Sequence, residues 1–377
     1  MRTIFIFFLI GSFLMSCQRR DGQASSSESS TGNLIRHAKG LEIQKFEGFS
    51  IIKIRDPWPG ANRIYTYVCQ RDGTKIPDSL SKFGVIKVPV SSIAVTSTTH
   101  IPSLEMLGVH QNLTAFPNLD YISSVPVRNR IDRGEIRDIG EGYDLNTEII
   151  IDVAPDVLVA HAIDDSNPEI ELLRKSGLKV LFNGDWNEKT PLGKAEWIKL
   201  FGTLFAVEDK ADSIFNDIEK EYTNAVKLAS TVSKKPTVLS GSMYENTWFV
   251  PQGGSWGSLL LKDAGADYLW ADSKGTGSLS LSFEVVYDKA SEADFWIGPA
   301  EHTSLADMLK SKPHYNRFKA FQTKNVYSFS TKKGRTGGVI YYELSQNRPD
   351  LVIKDLIHIF HPTILPDHKL VFFEKLK

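Results

Sequence analysis

The sequence predicts an α/β fold in which two lobes with parallel sheets flank one long helix, behind an N-terminal β-rich extension. Three observations carry this. Short apolar strand patterns alternate with helical patterns from Ser91 to about residue 190, and again after Pro236. Residues 192–230 contain helical patterns and no strand pattern. A short internal repeat then places one equivalent element in each half.

Residues 41–90 form the extension. Residues 49–55 and 64–68 alternate as strands do, and Asp56-Pro57-Trp58-Pro59-Gly60 between them is a strong turn. The first lobe, 91–207, begins with a short apolar strand at 92–97. Thr98 and Thr99 cap a helix over 101–107. Strand 156–160, helix 168–176 and strand 178–182 follow. The inter-lobe helix, 208–231, shows Ala211, Ile214, Phe215, Ile218, Tyr222, Ala225 and Val226 at helical spacing. The second lobe, 236–377, resumes with strands at 237–240, 248–250, 294–297 and 325–329, a helix at 255–264 and a closing helix over 341–360.

In the repeat, Leu145, Glu148, Asp152 and Ala154 align with Leu281, Glu284, Asp288 and Ala290 at identical spacing. Each copy reads as a helix with Glu in its first turn. Each is followed by an Asp (Asp156, Asp294) and an apolar strand.

The N-terminus predicts the compartment. Met1-Arg2-Thr3 carries one positive charge, and residues 4–15 are an apolar run. A dozen residues suit a signal peptide and fall short of the roughly 20 that span a bilayer. Leu14-Met15-Ser16-Cys17 resembles a lipoprotein cleavage signal. It implies a signal peptide over 1–16, lipidation of Cys17, attachment to the membrane through that lipid, and exposure to the periplasm. Residues 17–40, polar and Ser-rich up to Gly32, read as a flexible stalk. No later stretch is apolar for long enough to cross a membrane. A formal net charge of −1 gives no basic field for nucleic acid. Cys69 is the only other cysteine, so no disulfide framework forms within the mature chain; it reads as a buried small hydrophobe.

Five segments then bear a resemblance: Ile93-Ala-Val-Thr-Ser-Thr-Thr-His-Ile-Pro-Ser-Leu-Glu105-Met-Leu-Gly108, Gly140-Glu-Gly-Tyr-Asp-Leu-Asn-Thr-Glu148, Ala154-Pro-Asp-Val-Leu-Val159, Gly253-Gly-Ser-Trp256 through Tyr268, and Leu281-Ser-Phe-Glu284. In order and spacing the chain from about Ser91 to Phe360 resembles the substrate-binding proteins of ABC importers for metal chelates: cobalamin, ferric siderophores and haem. The resemblance implies two α/β lobes joined by one rigid helix, no enzymatic activity, and a transported chelate in place of a cofactor. It also implies that Glu148 and Glu284 dock into arginines of an ABC permease dimer in the inner membrane. A carboxylate in a first helical turn is held by the macrodipole, and its pairing with Arg is directional. The better-known members of that family lack the extension 41–90.

A chelate needs flat apolar surface and a few polar anchors at the ends of strands. The candidates in such positions are Glu141, Tyr143, His161, Trp186, Tyr244, Trp248, Trp256 and Arg335. Two other chemistries are also written in the chain. Gly253-Gly-Ser255-Trp-Gly257 matches the G-x-S-x-G pattern of serine hydrolases, although Ser255 as a helix N-cap explains the same residues. Nine histidines raise free zinc or manganese binding; only His358 and His361 stand at helical spacing, and no metal ligands are assigned.

Overall fold

The computed structural model describes residues 32–377 except 142, 143, 163, 165 and 166. Cys17, the signal peptide and Tyr143 lie outside the described residues. The first lobe is built on a five-stranded, all-parallel sheet in the order Val180–Asn183, Val157–His161, Ile93–Val95, Leu113–Phe116, Arg137–Asp138. Its central strands are buried on both faces, which is why they read as continuous apolar runs. The second lobe repeats the plan: Asp267–Tyr268, Thr237–Ser240, Phe295–Ile297 and Val326–Ser328 are parallel, and Glu374–Lys375 adds an antiparallel edge.

The repeat has a structural counterpart. Asp156 accepts hydrogen bonds from the Ser91 and Ser92 amides at 2.7 and 3.0 Å, at the entry to the first strand of its lobe. Asp294 accepts from the amide and hydroxyl of Thr237, both at 3.0 Å, at the entry to the first strand of the other. Each aspartate thus ties its own strand to the neighbouring one.

Helix Glu208–Ala229 joins the lobes and belongs to both. Ala211, Phe215 and Ile218 lie in the first hydrophobic core. Tyr222, Ala225 and Ala229 lie in the second. One apolar stripe therefore passes from one core to the next without a break, over about 33 Å of helix.

Two expectations change. The closing helix is two helices, Ile340–Leu344 and Pro349–Phe360. Pro349 cannot continue the ladder of the first, so a new helix starts there. The strand at 248–250 joins no parallel sheet: Thr247–Pro251 pairs antiparallel with Ser242–Tyr244 and Ser278–Leu281.

The extension is a four-stranded sheet of Leu41–Lys45, Phe49–Arg55, Ile64–Arg71 and Gly84–Val88. It shares one core with the first lobe, where Ile43, Ile52 and Ile86 join Leu200 and Phe201. Cys69 is buried in this sheet, and burial pushes its thiol up to about 12. The predicted stalk ends earlier than residue 40. The amides of Arg36, His37 and Ala38 donate to Glu196, and those of Lys39 and Gly40 donate to Glu188, at 2.6–3.1 Å. Five consecutive N–H groups thus satisfy two buried carboxylates, so this segment is part of the fold.

Candidate functional site

Loops that follow the parallel strands of the second lobe, and the Trp186–Lys189 loop that follows Val180–Asn183 in the first, line two adjoining concavities. In the second lobe, Gly241, Gly298 and Phe329 at strand ends join Phe249, Trp256, Tyr341 and Tyr342 around a concavity of about 410 Å³. A second concavity of about 390 Å³ shares Pro251, Trp256, Gly257 and Ser278 with it. It reaches Trp186–Lys189 of the first lobe and Pro59 of the extension. The strand ends of an open α/β sheet are where such folds hold ligands, and these volumes lie within the usual range of small-molecule sites.

The lining is stiff. Ser255 caps helix Trp256–Asp263 by accepting the Ser258 amide at 3.3 Å, which sets Trp256 as the first helical residue. The Trp256 ring stacks on Tyr341 with centroids 6.2 Å apart, and Tyr341 stacks on Phe329 at 4.4 Å. Beyond Trp256, the Lys194 ammonium stands 5.4 Å from the ring centroid. Lys194 is buried and donates to the Asp185 and Trp186 carbonyls and to Gln346 Oε1, at 3.1, 2.8 and 3.0 Å. Burial pulls its pKa down to about 8, while Asp185 and Glu188 oppose that shift. Lys194 therefore props up the loop that carries Trp186 and ties it to the other lobe.

Beneath this loop lies a buried polar layer. Asp185 accepts from the Thr99 hydroxyl at 3.0 Å, and its amide donates to Asn183 Oδ1 at 2.8 Å. Both ring nitrogens of the fully buried His100 lack a hydrogen-bond partner among the described residues. Burial lowers its pKa to about 4, so the ring is neutral at pH 7.

The lobes are also clasped by contacts outside the long helix. Arg335 Nη2 donates to both carboxylate oxygens of Asp132 at 2.7 and 2.6 Å. Thr336 donates to the Asp120 carbonyl, and Ser123 donates to the Gly338 carbonyl. At Gly338 a Cβ would sit 2.2 Å from the Tyr121 carbonyl oxygen, so only glycine permits the approach. Glu343 crosses the same boundary and accepts from the Ser123 and Ser124 amides at 2.5 and 3.0 Å. The helix break at 345–348 completes the seam: Asn347 donates to the Thr99 carbonyl and accepts from Ser103, at 2.8 and 2.7 Å.

The predicted site residues divide accordingly. Trp186 and Trp256 line the cleft. His161 packs its ring 5.5 Å from Trp186, behind the lining. Trp248 is a correction: it is fully buried against Trp296, Tyr315 and Phe318, out of reach of anything in the cleft. Arg335 pairs with Asp132 in the clasp and lines neither concavity. Tyr244 stands exposed at a hairpin end, and Glu141 lies exposed on a two-residue strand; neither lines these concavities. Sequence reasoning missed Phe249, Phe329, Tyr341, Tyr342 and Lys194. The adjacent pair Tyr341-Tyr342 was the one available signal.

Glu148 and Glu284 are exposed second residues of helices Thr147–Val153 and Phe283–Ala290. Asn146 and Ser282 cap these helices through their side chains. The Glu284 carboxyl is held below its usual range by its own backbone amide and by Ser282. His358 and His361 each pair with a backbone carbonyl, of Leu365 and Gly265. Among the described residues no group of three or more His, Cys, Asp or Glu side chains is arranged to hold a metal ion. No helix among them is long and apolar enough to cross a membrane.

Two α/β lobes on one shared helix, with an aromatic cleft at their strand ends, are the architecture of a bilobed solute-binding protein. The chain belongs to the periplasmic binding protein family, which it matches over residues 93–332. It is similar to an uncharacterized lipoprotein of Methanocaldococcus jannaschii, 26% identical over 93% of this chain and 87% of that one. Solved structures share the fold. One is a possible iron-binding periplasmic solute-binding protein of Staphylococcus epidermidis (TM-score 0.54, 17% identity, 72% of this chain and 98% of that one). Another is a periplasmic haem-binding protein of Pseudomonas aeruginosa (TM-score 0.55, 15% identity, 76% and 98%). The family match begins at residue 93, after the extension.

Proposed function

We propose that this chain is a lipid-anchored substrate-binding protein, tethered through Cys17 and facing the periplasm. It captures a metal chelate, iron–siderophore or cobalamin-like, and delivers it to an ABC permease without chemical change. One observation carries the reading: two adjoining concavities whose walls include Trp186, Trp256, Tyr341 and Phe329, at the strand ends between two clasped lobes. Flat rings suit a broad, rigid, partly apolar ligand better than a bare ion. The iron and haem named for the structural neighbours agree with that class. Ser255 works as a helix cap, which supports binding over hydrolysis. Glu148 and Glu284 supply one carboxylate per lobe for the permease arginines.

Native mass spectrometry of the protein purified from its own host tests this. A bound corrinoid or ferric-siderophore mass supports the reading. Bound zinc alone, or Ser255 labelled by an acyl probe, overturns it.

A further inference from the structure

The turn Asp56–Gly60 of the extension reaches the cleft. Pro59 lines the concavity on the same side as Trp186, Asn187 and Lys189, opposite Ser255, Trp256 and Gly257 of the second lobe. Its neighbours fix it there. Trp58 is buried and meets Phe182 edge-on at 5.2 Å. The Asn187 side-chain amide donates to the Asp56 carbonyl at 3.0 Å. Pro57 packs so closely on the next strand end that a Cβ at Gly184 would stand 2.9 Å from its Cα. Phe182 and Gly184 lead directly into Trp186, so the turn and the Trp186 loop form one rigid unit. Two prolines in three residues restrict the turn further.

We propose that this turn is a third wall of the ligand cleft, in which Pro59 selects among chelates by the bulk of their peripheral groups. The proposal rests on the cleft reading above. A flexible loop would yield to a larger ligand; a turn pinned by Trp58, Asn187 and the bare Gly184 excludes it. The wall is also chemically mixed. Beside the apolar Pro59 ring, Lys189 extends from an exposed position and donates to Asn187 Oδ1 at 2.8 Å. That combination suits a chelate edge with an apolar flank next to an anionic substituent. The extension thereby does two jobs: it completes the core of the first lobe, and it narrows the mouth of the site.

The test titrates the full chain with three probes of different bulk: ferrioxamine B, haemin and cyanocobalamin, read by quenching of tryptophan fluorescence. Wild type is compared with Pro59→Ala, Pro59→Phe and Trp256→Ala, and with Asn62→Gly, just beyond the turn and outside the cleft lining, as a control that keeps the left-handed backbone there. Thermal melts establish that each variant is folded. The expected result is that Pro59→Phe weakens the bulkiest probe that binds wild type by roughly tenfold or more, while Pro59→Ala relaxes the ratio between probes. Asn62→Gly leaves both unchanged. If Trp256→Ala loses affinity while both Pro59 variants match wild type, the wall is overturned and the cleft stands. If Trp256→Ala also matches wild type, or if wild type binds none of the three, the cleft reading falls and takes the wall with it.

Discussion

Arg335 and Asp132 stand on different lobes and are joined through one guanidinium nitrogen, at 2.6 and 2.7 Å to the two carboxylate oxygens. The pair closes a clasp in which Thr336, Gly338 and Glu343 also grip residues 120–124. Both partners are largely solvent-exposed, so the pair is screened. Arg335→Ala is therefore expected to leave chelate affinity within about threefold of wild type, because the remaining clasp contacts persist. Isothermal titration checks this; a loss of 100-fold would return Arg335 to the ligand.

Trp256 and Trp248 separate binding from folding. Trp256→Ala removes a cleft face and should cost about 1–3 kcal/mol of binding, roughly 5- to 150-fold, with little change in stability. Trp248→Ala opens a cavity among Trp296, Tyr315 and Phe318 and should cost about 3–5 kcal/mol of stability. Urea unfolding beside ligand titration distinguishes the two. The opposite pattern would exchange their roles.

Much of this was legible before any coordinates. The inter-lobe helix begins at Glu208 as expected and ends at Ala229, two residues before the expected 231; it was legible because a stripe feeding two cores leaves a strong periodic signature. The repeat around Glu148 and Glu284 was readable because Leu, Glu, Asp and Ala recur at identical spacing, although the two caps differ, Asn146 in one copy and Ser282 in the other. The clasp was not readable. Lys332–Gly338 carries Arg and Gly, as an anion site would, and only the approach of residues 120–124 shows what these residues meet. Trp248 and Trp256 are eight residues apart in similar local company, and no local pattern tells a core ring from a cleft ring. The seam at Asn347 did leave a signal: Ser345-Gln-Asn-Arg-Pro349-Asp350 is a polar stretch with a proline between two apolar helical patterns, which marks a helix break.

Glu148→Ala with Glu284→Ala should leave folding and ligand affinity intact while uptake falls severely. Each carboxylate is exposed and carries no core contact. Single changes should be milder, since the other lobe still docks. Reversal to Lys should be worse than Ala through repulsion at the permease. Uptake assays in cells, paired with titration of the purified variants, decide it. Normal uptake by the double variant at wild-type expression removes both residues from docking.

His100 gives the stability a pH dependence of known sign. Its folded pKa, about 4, lies below its ordinary value of 6.5, so the unfolded chain binds more protons between those limits. Its contribution is complete above about pH 6.5 and is lost as pH falls toward 4, by up to roughly 3 kcal/mol. Burial dominates; Asp185 opposes the shift and His161 adds to it. Glu343 works in the opposite sense, since burial raises it from 4.5 to about 7 and its ionisation disfavours the folded state across that window. Urea midpoints from pH 7 to pH 4 should therefore fall less steeply in His100→Gln than in wild type. Parallel slopes would show that His100 does not titrate with unfolding.

The helix Glu208–Ala229 also sets a phase. Its buried stripe changes owner between Ile218 and Tyr222. One residue inserted in that turn would rotate one lobe against the other by about 100° and shift it by about 1.5 Å. Trp186 would no longer share a concavity with Trp256. Gly338 would lose its register on Tyr121. The length of this helix is thus as constrained as any side chain in the cleft, although none of its residues lines either concavity.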